Sequence, residues 1–516
     1  MGGMPTPNEV SRRDLIRAGA WSALLLPSPF SSSAFAAPSF TAPPFACGVS
    51  SGDPLPTGVV LWTRLMGDPA RESAWTRERV NVRWEVAEDE RMTRIVKRGE
   101  AAATPEFAHT VHADVRGLRP SRWYWYRFHA GSETSPVGRT RTAPAGPVDR
   151  LRFAFASCQH FETGYYTAYK HMAAEELDLV VHLGDYIYEG PGRDNGVRKH
   201  TGGEIVSLTD YRNRYALYRS DADLREAHRL FPWIVTWDDH EVDNNYAADI
   251  PEDKQTRAEF LERRANAYQA YYEAMPLRRS SMPKGSRMQL YRRLSFGPMA
   301  DFHVLDTRQY RGDQPCGDGD KPPCPEMFAP GLTMFGDEQE RWLLDGLSKS
   351  RAKWNVLANQ VMMAKIDRDG GEGERYPMDQ WSGYEAARTR FMRFLNERKP
   401  SNPLVITGDV HSNWVCDLRE KFRDANSPIA AVEFTGTSIS SGGNGEPLPA
   451  RVKAYLGDNP QIKFYNAQRG YVRCELAAAR MTADYRVVAN VTERDAAVST
   501  IASFAVVDGQ PGVSKA

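Results

Sequence analysis

An excess of either charge is the first thing this 516-residue sequence lacks: Lys plus Arg and Asp plus Glu number 66 each. No global basic field favours nucleic acid, and no acidic excess favours disorder. Long apolar runs are missing as well. The run Ala18 to Leu26 is too short to span a bilayer, Pro27 and Pro29 close it, and no other segment reads as transmembrane. A Walker-type Gly-rich loop and a G-x-S-x-G elbow are both absent, which removes support from nucleotide-driven and serine-hydrolase chemistry. No internal repeat or low-complexity block stands out.

What is present begins at the N-terminus. Arg12 and Arg13 precede the short apolar run, and Ala34-Phe35-Ala36 supplies a small-residue cleavage site. That order predicts a signal peptide over residues 1–36, and the paired arginines point to the twin-arginine route, whose machinery exports folded proteins to the periplasm or beyond. Six cysteines in an exported chain permit disulfides. Cys316 and Cys324 bracket a short loop that a bridge would close. Cys416 and Cys474 are a second possible pair, and Cys47 has no evident partner.

The length predicts two domains. Over 45–145 the texture is all-β: Gly58 to Arg64, Val80 to Val86, Thr110 to Val115 and Trp123 to Phe128 are β-rich or alternate with period two. Leu118-Arg119-Pro120 before the last of these looks like the corner of a fibronectin III or immunoglobulin-like sandwich. Thr140 to Pro147 reads as a linker. Over 150–490, short apolar strands alternate with helical patterns, which argues for an α/β, layered αββα core. Helices are expected over Thr256 to Met275 and Gly336 to Ser350, the second with a capping-box spacing from Asp337 to Glu340. Residues 491–516 read as a C-terminal tail.

The informative pattern lies just after each strand. Six apolar runs end in Ser157-Cys158, in Gly184-Asp185 with Tyr188, in Asp238-Asp239-His240-Glu241, in Asp306-Thr307-Arg308, in Asn359-Gln360 and in Gly408-Asp409-Val410-His411. Sites in α/β sheets form outside the carboxyl ends of strands. Three carboxylates around His240 repel one another unless a cation or an arginine network offsets them. Asp409 and His411 sit two apart and share one side of an extended segment. Asn244 and Asn245 are either neutral ligands or caps. Each residue also has a plain reading: Asp185 a turn, Tyr188 a core aromatic, Cys158 a buried thiol, Asp409 with His411 a simple hydrogen bond. Their common position at strand ends favours metal ligation. Arg308 and Arg311 are candidates for gripping a phosphate, or for salt bridges.

Ala156 to Gln159, Gly184 to Glu189, Trp237 to Val242, Leu305 to Arg311 and Thr407 to His411 resemble the successive blocks of the alkaline phosphatase D family. Phe45 to Pro54 resembles its opening block, and Asp379 to Tyr384 with Arg388, then Arg469 to Tyr471, resemble later ones. Cys47 and Ser382 depart from the family pattern. The resemblance implies a calcineurin-like metallophosphoesterase core after a small β-sandwich domain. It also implies one Fe³⁺ and two Ca²⁺. Cys158, Asp185 and Tyr188 match the iron-side positions; Asp239, Asn244 or Asn245, Asp409 and His411 would hold the harder cations. The expected activity is hydrolysis of phosphate esters by in-line attack of a metal-bound hydroxide, with His240 and His411 as candidates to move the leaving-group proton. The rival readings are a phosphodiesterase of phospholipase D-like type and, from another class, an exported binding protein with structural metals.

Overall fold

The computed structural model describes residues 40, 42–67, 78–252 and 254–516; the expected signal peptide lies outside them. Two large sheets form the centre. One, of ten strands, runs through Arg150–Ala156, Leu179–His182 and Pro232–Val235, which pair in parallel. The other, of seven strands, is built on Ala300–Val304, Trp354–Ala358, Pro403–Thr407 and Ile429–Thr435, also mutually parallel. Parallel strands covered on both faces are apolar throughout rather than alternating, which is why these runs were legible as short blocks of Val, Ile, Leu and Phe.

The sheets stack face to face. Phe153, Phe155, Val181 and Ile234 from the first meet Phe302, Val356, Ile406 and Phe434 from the second in one core. Phe153 and Phe302 pack edge to face at 5.2 Å. The outer face of the ten-stranded sheet is covered by helices Thr167–Ala173, Leu208–Arg219, Ala222–Leu230 and Arg257–Ala274 through a second, tyrosine-rich core. Helices Gly336–Lys349 and Glu385–Arg398 cover the other sheet. The result is the expected αββα layering.

The all-β stretch does form a sandwich, but not a detached one. Val80–Ala87, Ile95–Ala103 and Trp123–Ala130 make a small sheet whose inner residues Val82, Tyr124, Tyr126 and Phe128 pack on Val59, Leu61, Val111 and Ala113. Those last four belong to Gly58–Arg64 and Thr110–Arg116, which are strands of the ten-stranded sheet. Val49–Leu55 joins them to the centre by parallel pairing with Pro232–Val235. At that junction a Cβ on Gly52 would lie 2.8 Å from the Trp233 carbonyl oxygen, so only glycine fits. The corner at Leu118–Pro120 is present: Arg119 N–H donates to the Tyr124 hydroxyl at 2.9 Å.

Three local expectations change. Residues 491–516 are not a tail, because Val498–Val507 and Ser514–Lys515 extend the ten-stranded sheet and bury Phe504 and Val506. Helix Gly336–Lys349 has no capping box. Thr333 Oγ1 accepts from Phe335 and Gly336 N–H instead, and Glu340 pairs with Arg390. Full boxes form at Ser207/Asp210 and Thr256/Glu259. Cys316 and Cys324 are bridged, whereas Cys47, Cys416 and Cys474 are buried thiols.

Candidate metal centre

Five of the six expected strand-end segments meet at one rim shared by the two sheets. The turns are sharp: Cys158, Asp185, Asn245, Asp409 and His411 all have φ between 49° and 64°, a region that side-chain-bearing residues seldom occupy. Two glycines permit the close approach. A Cβ on Gly184 would stand 2.4 Å from Asp238 N, and one on Gly408 would stand 2.2 Å from Ser157 Oγ.

Three sets of donors result, each with its ligand atoms within 4.8 Å of one another: Cys158, Asp185 and His411; Asp185, Asp239 and His240; Asp238, Asp239 and Asp409. Asp185 belongs to the first two sets and Asp239 to the last two, so the donors form one continuous array. Tyr188 joins at the first set. Its hydroxyl donates to Asp185 Oδ2 at 2.8 Å and lies 3.2 Å from His411 Nε2. Asn245 joins at the last, its backbone N–H donating to Asp239 Oδ2 at 2.8 Å.

The electrostatics of the bare array are unfavourable. Burial, then the Asp185 charge, holds the Cys158 thiol and the Tyr188 phenol well above their ordinary pKa. Burial also raises Asp185 and Asp238 far above the carboxylate range and Asp409 to about 6. At Asp239 burial opposes ionisation, but Arg308 and His240 outweigh it and the pKa falls. His240 is likewise disfavoured as a cation by burial, yet Glu189, Asp239 and Asp185 raise its pKa. Asp185 Oδ1, Asp238 Oδ2 and Asp239 Oδ1 are buried without a hydrogen-bond partner. Unpaired buried carboxylate oxygens at three neighbouring positions fit multivalent cations, which would satisfy them and remove the mutual repulsion.

Neighbouring groups fix these donors. Glu241 does not face the array; it accepts from the backbone N–H of Asp185, Tyr186 and Asp238 at 2.7–3.0 Å and holds both turns. Glu189 Oε2 lies 2.7 Å from His240 Nδ1, leaving the other ring nitrogen for the array. The Tyr188 ring is clamped between His160 and His240, at 4.4 and 4.1 Å. Ser441 Oγ lies 2.7 Å from the Tyr188 hydroxyl, Gln380 donates to Asp409 Oδ2, and Arg469 donates to the His411 carbonyl.

The structure changes several assignments. His411 shares a donor set with Cys158 and Asp185, and it lines the same groove as Asp409. Asn244 turns its amide to Glu252, so Asn245 is the asparagine at the array. The phosphate grip expected of Arg308 and Arg311 does not fit. Arg308 is fully buried, its Nε bonded to Asp238 and its Nη1 to Asp379, while Arg311 is anchored on Asp379. Arg308 acts as an internal counter-charge to four aspartates. Asn359 and Gln360 serve the backbone: Gln360 ties Thr307, Thr236 and Leu305 together. Ser441 had no signal in the sequence, and Gln380 lies in a block that resembles the family without standing out there as a functional residue.

A groove of about 410 Å³ opens beside the array, its lining including Asn245, Asp409, His411, Arg451, Tyr455 and Tyr465. With fold and donors in place, the comparisons decide the family. Residues 153–485 match the model of the PhoD-like phosphatase, and residues 31–144 match its N-terminal domain. The chain belongs to the PhoD-like phosphatase family. Alkaline phosphatase D of Bacillus subtilis (strain 168) is 52% identical to it over 487 residues, 93% of this chain and 84% of that protein. A solved structure of PhoD superposes with a TM-score of 0.91 at 52% identity, covering 93% of each chain. Membership in the PhoD-like phosphatases makes the chain a phosphoric ester hydrolase.

Proposed function

We propose that this PhoD-like phosphatase is an exported, metal-dependent phosphoesterase whose array holds one Fe³⁺ and two Ca²⁺. The observation that carries the reading is the set of buried carboxylate oxygens at Asp185, Asp238 and Asp239 that no protein group satisfies, beside a thiol and a phenol. Cys158, Tyr188 and His411, with Asp185, form the side suited to a trivalent ion, because thiolate and phenolate are anionic donors. Asp238, Asp239, Asp409 and the Asn245 side-chain oxygen are the oxygen donors that calcium prefers. Asp185 spans the two sides. When bound, such cations lower the pKa of water and neutralise charge on phosphate oxygens.

The chain's own residues then have distinct tasks. Glu189 fixes the His240 ring and keeps it protonated, and His240, partly exposed, is the group that gives a proton to the leaving oxygen. Arg308 keeps Asp238, Asp239 and Asp409 from repelling one another before ions arrive. Arg469 holds His411 in its left-handed turn, and Ser441 holds the Tyr188 hydroxyl. Phosphodiesters are a second reading, favoured by a groove of about 410 Å³ whose lining joins Asp409 and His411 with Arg451, Tyr455 and Tyr465.

Hydrolysis of an aryl phosphate and of an aryl phosphodiester, each with and without a calcium chelator, tests the reading. Chelator-reversible turnover of either supports it; binding without turnover of both would return the chain to a binding protein. Elemental content of iron and calcium, and a visible charge-transfer band lost or shifted in Tyr188→Phe and Cys158→Ser, test the ion assignment. Zinc alone would remove it. Retention of the precursor inside the cell when Arg12 and Arg13 are both changed to Lys tests twin-arginine export.

A further inference from the structure

The disulfide loop Cys316–Cys324 lies at the rim of the groove, where Asp318, Gly319 and Asp320 form part of its wall. Asp318 Oδ2 accepts a hydrogen bond from Asn245 Nδ2 at 2.5 Å. An ionised carboxylate only accepts, so the contact fixes the amide's orientation: nitrogen toward Asp318, oxygen elsewhere. No donor among the described residues reaches Asn245 Oδ1. The rest of Asn245 is equally constrained. Its N–H is on Asp239, and its carbonyl accepts from Arg311 and Gln314.

Asp318 is itself held, although it is exposed. Cys316 and Cys324 pack against a small apolar cluster of Met327, Tyr376 and Met378. Met378 N–H donates to the Gly319 carbonyl at 3.0 Å, Asp320 and Lys321 pair with Tyr376 and Pro377, and Arg368 bonds Asp320. The bridge closes a nine-residue loop containing two glycines, which would otherwise sample many backbone states.

We propose that this loop is a positioning device for the cation site: Asp318 sets the Asn245 amide with its oxygen free for a calcium ion, and the Cys316–Cys324 bridge keeps Asp318 in place. The inference rests on the reading of Asn245 as a ligand. Its chemistry is that of an outer partner orienting a metal ligand, a contact whose loss lowers metal affinity by about tenfold or more.

The test uses the full protein dialysed against EGTA-buffered free Ca²⁺ at a series of concentrations, with bound calcium read by elemental analysis and folding by thermal melting. Asp318→Ala and the double variant Cys316→Ser/Cys324→Ser are each expected to need about tenfold more free calcium for half-occupancy. Asp318→Asn, whose side-chain oxygen still accepts from Asn245, should bind like wild type. Iron content should not change in any of them. Asn245→Ala should lose at least as much calcium affinity, and adding Asp318→Ala to it should cost nothing further. Wild-type calcium binding in Asp318→Ala, alongside a clear loss in Asn245→Ala, would overturn the positioning role alone. Wild-type binding in Asn245→Ala would overturn the ligand reading and this inference with it.

Discussion

Two ionic networks in this molecule use the same residue types to opposite ends. In the small N-terminal sheet, Glu85 accepts from Arg98 and Arg127 and lies 3.3 Å from His129, on a face open to solvent. Every partner there is a protein group, and water screens the rest. At the rim of the two large sheets, Asp238, Asp239, Asp379 and Asp409 surround one buried arginine, yet Asp238, Asp239 and the neighbouring Asp185 each keep one oxygen without a partner. Surface pairs of the first kind contribute little to stability. Buried charges of the second kind are costly, and left-handed turns at five of the residues add strain. The difference teaches which acids are there for a ligand: those the protein buries, strains and leaves unsatisfied.

The largest expected effects come from removing members of the buried set. Asp185→Ala and Asp409→Ala should each lower kcat/KM by at least about 10²–10³-fold, with far-UV dichroism unchanged, because they lie on loops outside the cores. Near-normal activity in either folded variant would make the array structural.

Next in size is the backbone. Gly184→Ala puts a Cβ 2.4 Å from Asp238 N at φ 113°, so we expect a loss of about 2–4 kcal/mol in urea unfolding together with activity. Gly202→Ala, at φ 80° with open space around it, should lose only about 1 kcal/mol and keep full activity. Equal losses in the two would mean that conformation, not the close approach, is what matters at Gly184.

A third contrast concerns pH. Burial raises the Glu433 carboxyl to about 7 from an ordinary 4.5, although Met363 and Ala364 N–H and the Thr407 hydroxyl donate to it. The folded state therefore binds this proton more tightly than the unfolded chain. The associated stability is complete below about pH 4.5 and is lost as pH rises through about 7. Glu433→Gln should flatten the stability curve across that window by up to about 3 kcal/mol relative to wild type. An unchanged slope would show that Glu433 is ionised in the fold throughout.

The smallest effect should come from the surface network. Glu85→Ala is expected to cost under about 1 kcal/mol, less still at high salt, and to leave kcat/KM untouched. A loss of activity there would tie the N-terminal sheet to the reaction.

Much of the buried donor array was readable because its residues follow strands. The apolar block before Asp185 and the glycine preceding it mark a buried strand and a tight turn without reference to the rest of the chain. The same holds for Gly408-Asp409. What stayed illegible depends on partners far away in sequence. Glu241 looked like one more acid of the cluster, yet three backbone N–H groups claim it, one from its own turn and two from the turn of Asp185. Arg308 looked like a phosphate ligand, yet it is fully buried, with Asp238 on its Nε and Asp379 on its Nη1. Asn244 and Asn245 are indistinguishable as letters; the amide of one bonds Glu252, while the other bonds Asp318 and gives its backbone N–H to Asp239. Residues 491–516 read as a tail because an outer strand, packed on one face only, carries a weaker apolar signal than the central strands.

By itself the sequence determined the layered core, the order of its strands and the chemical types delivered after each, since local apolar blocks and turn residues carry that information. Only the tertiary structure decided that His411 stands beside Cys158, that Asp185 and Asp239 each belong to two donor sets, and that Asp318 in a bridged loop sets the Asn245 amide. Apart from the adjacent Asp238, Asp239 and His240, those facts are distances between residues 27 to 253 apart in sequence, fixed by how two sheets stack rather than by any local preference.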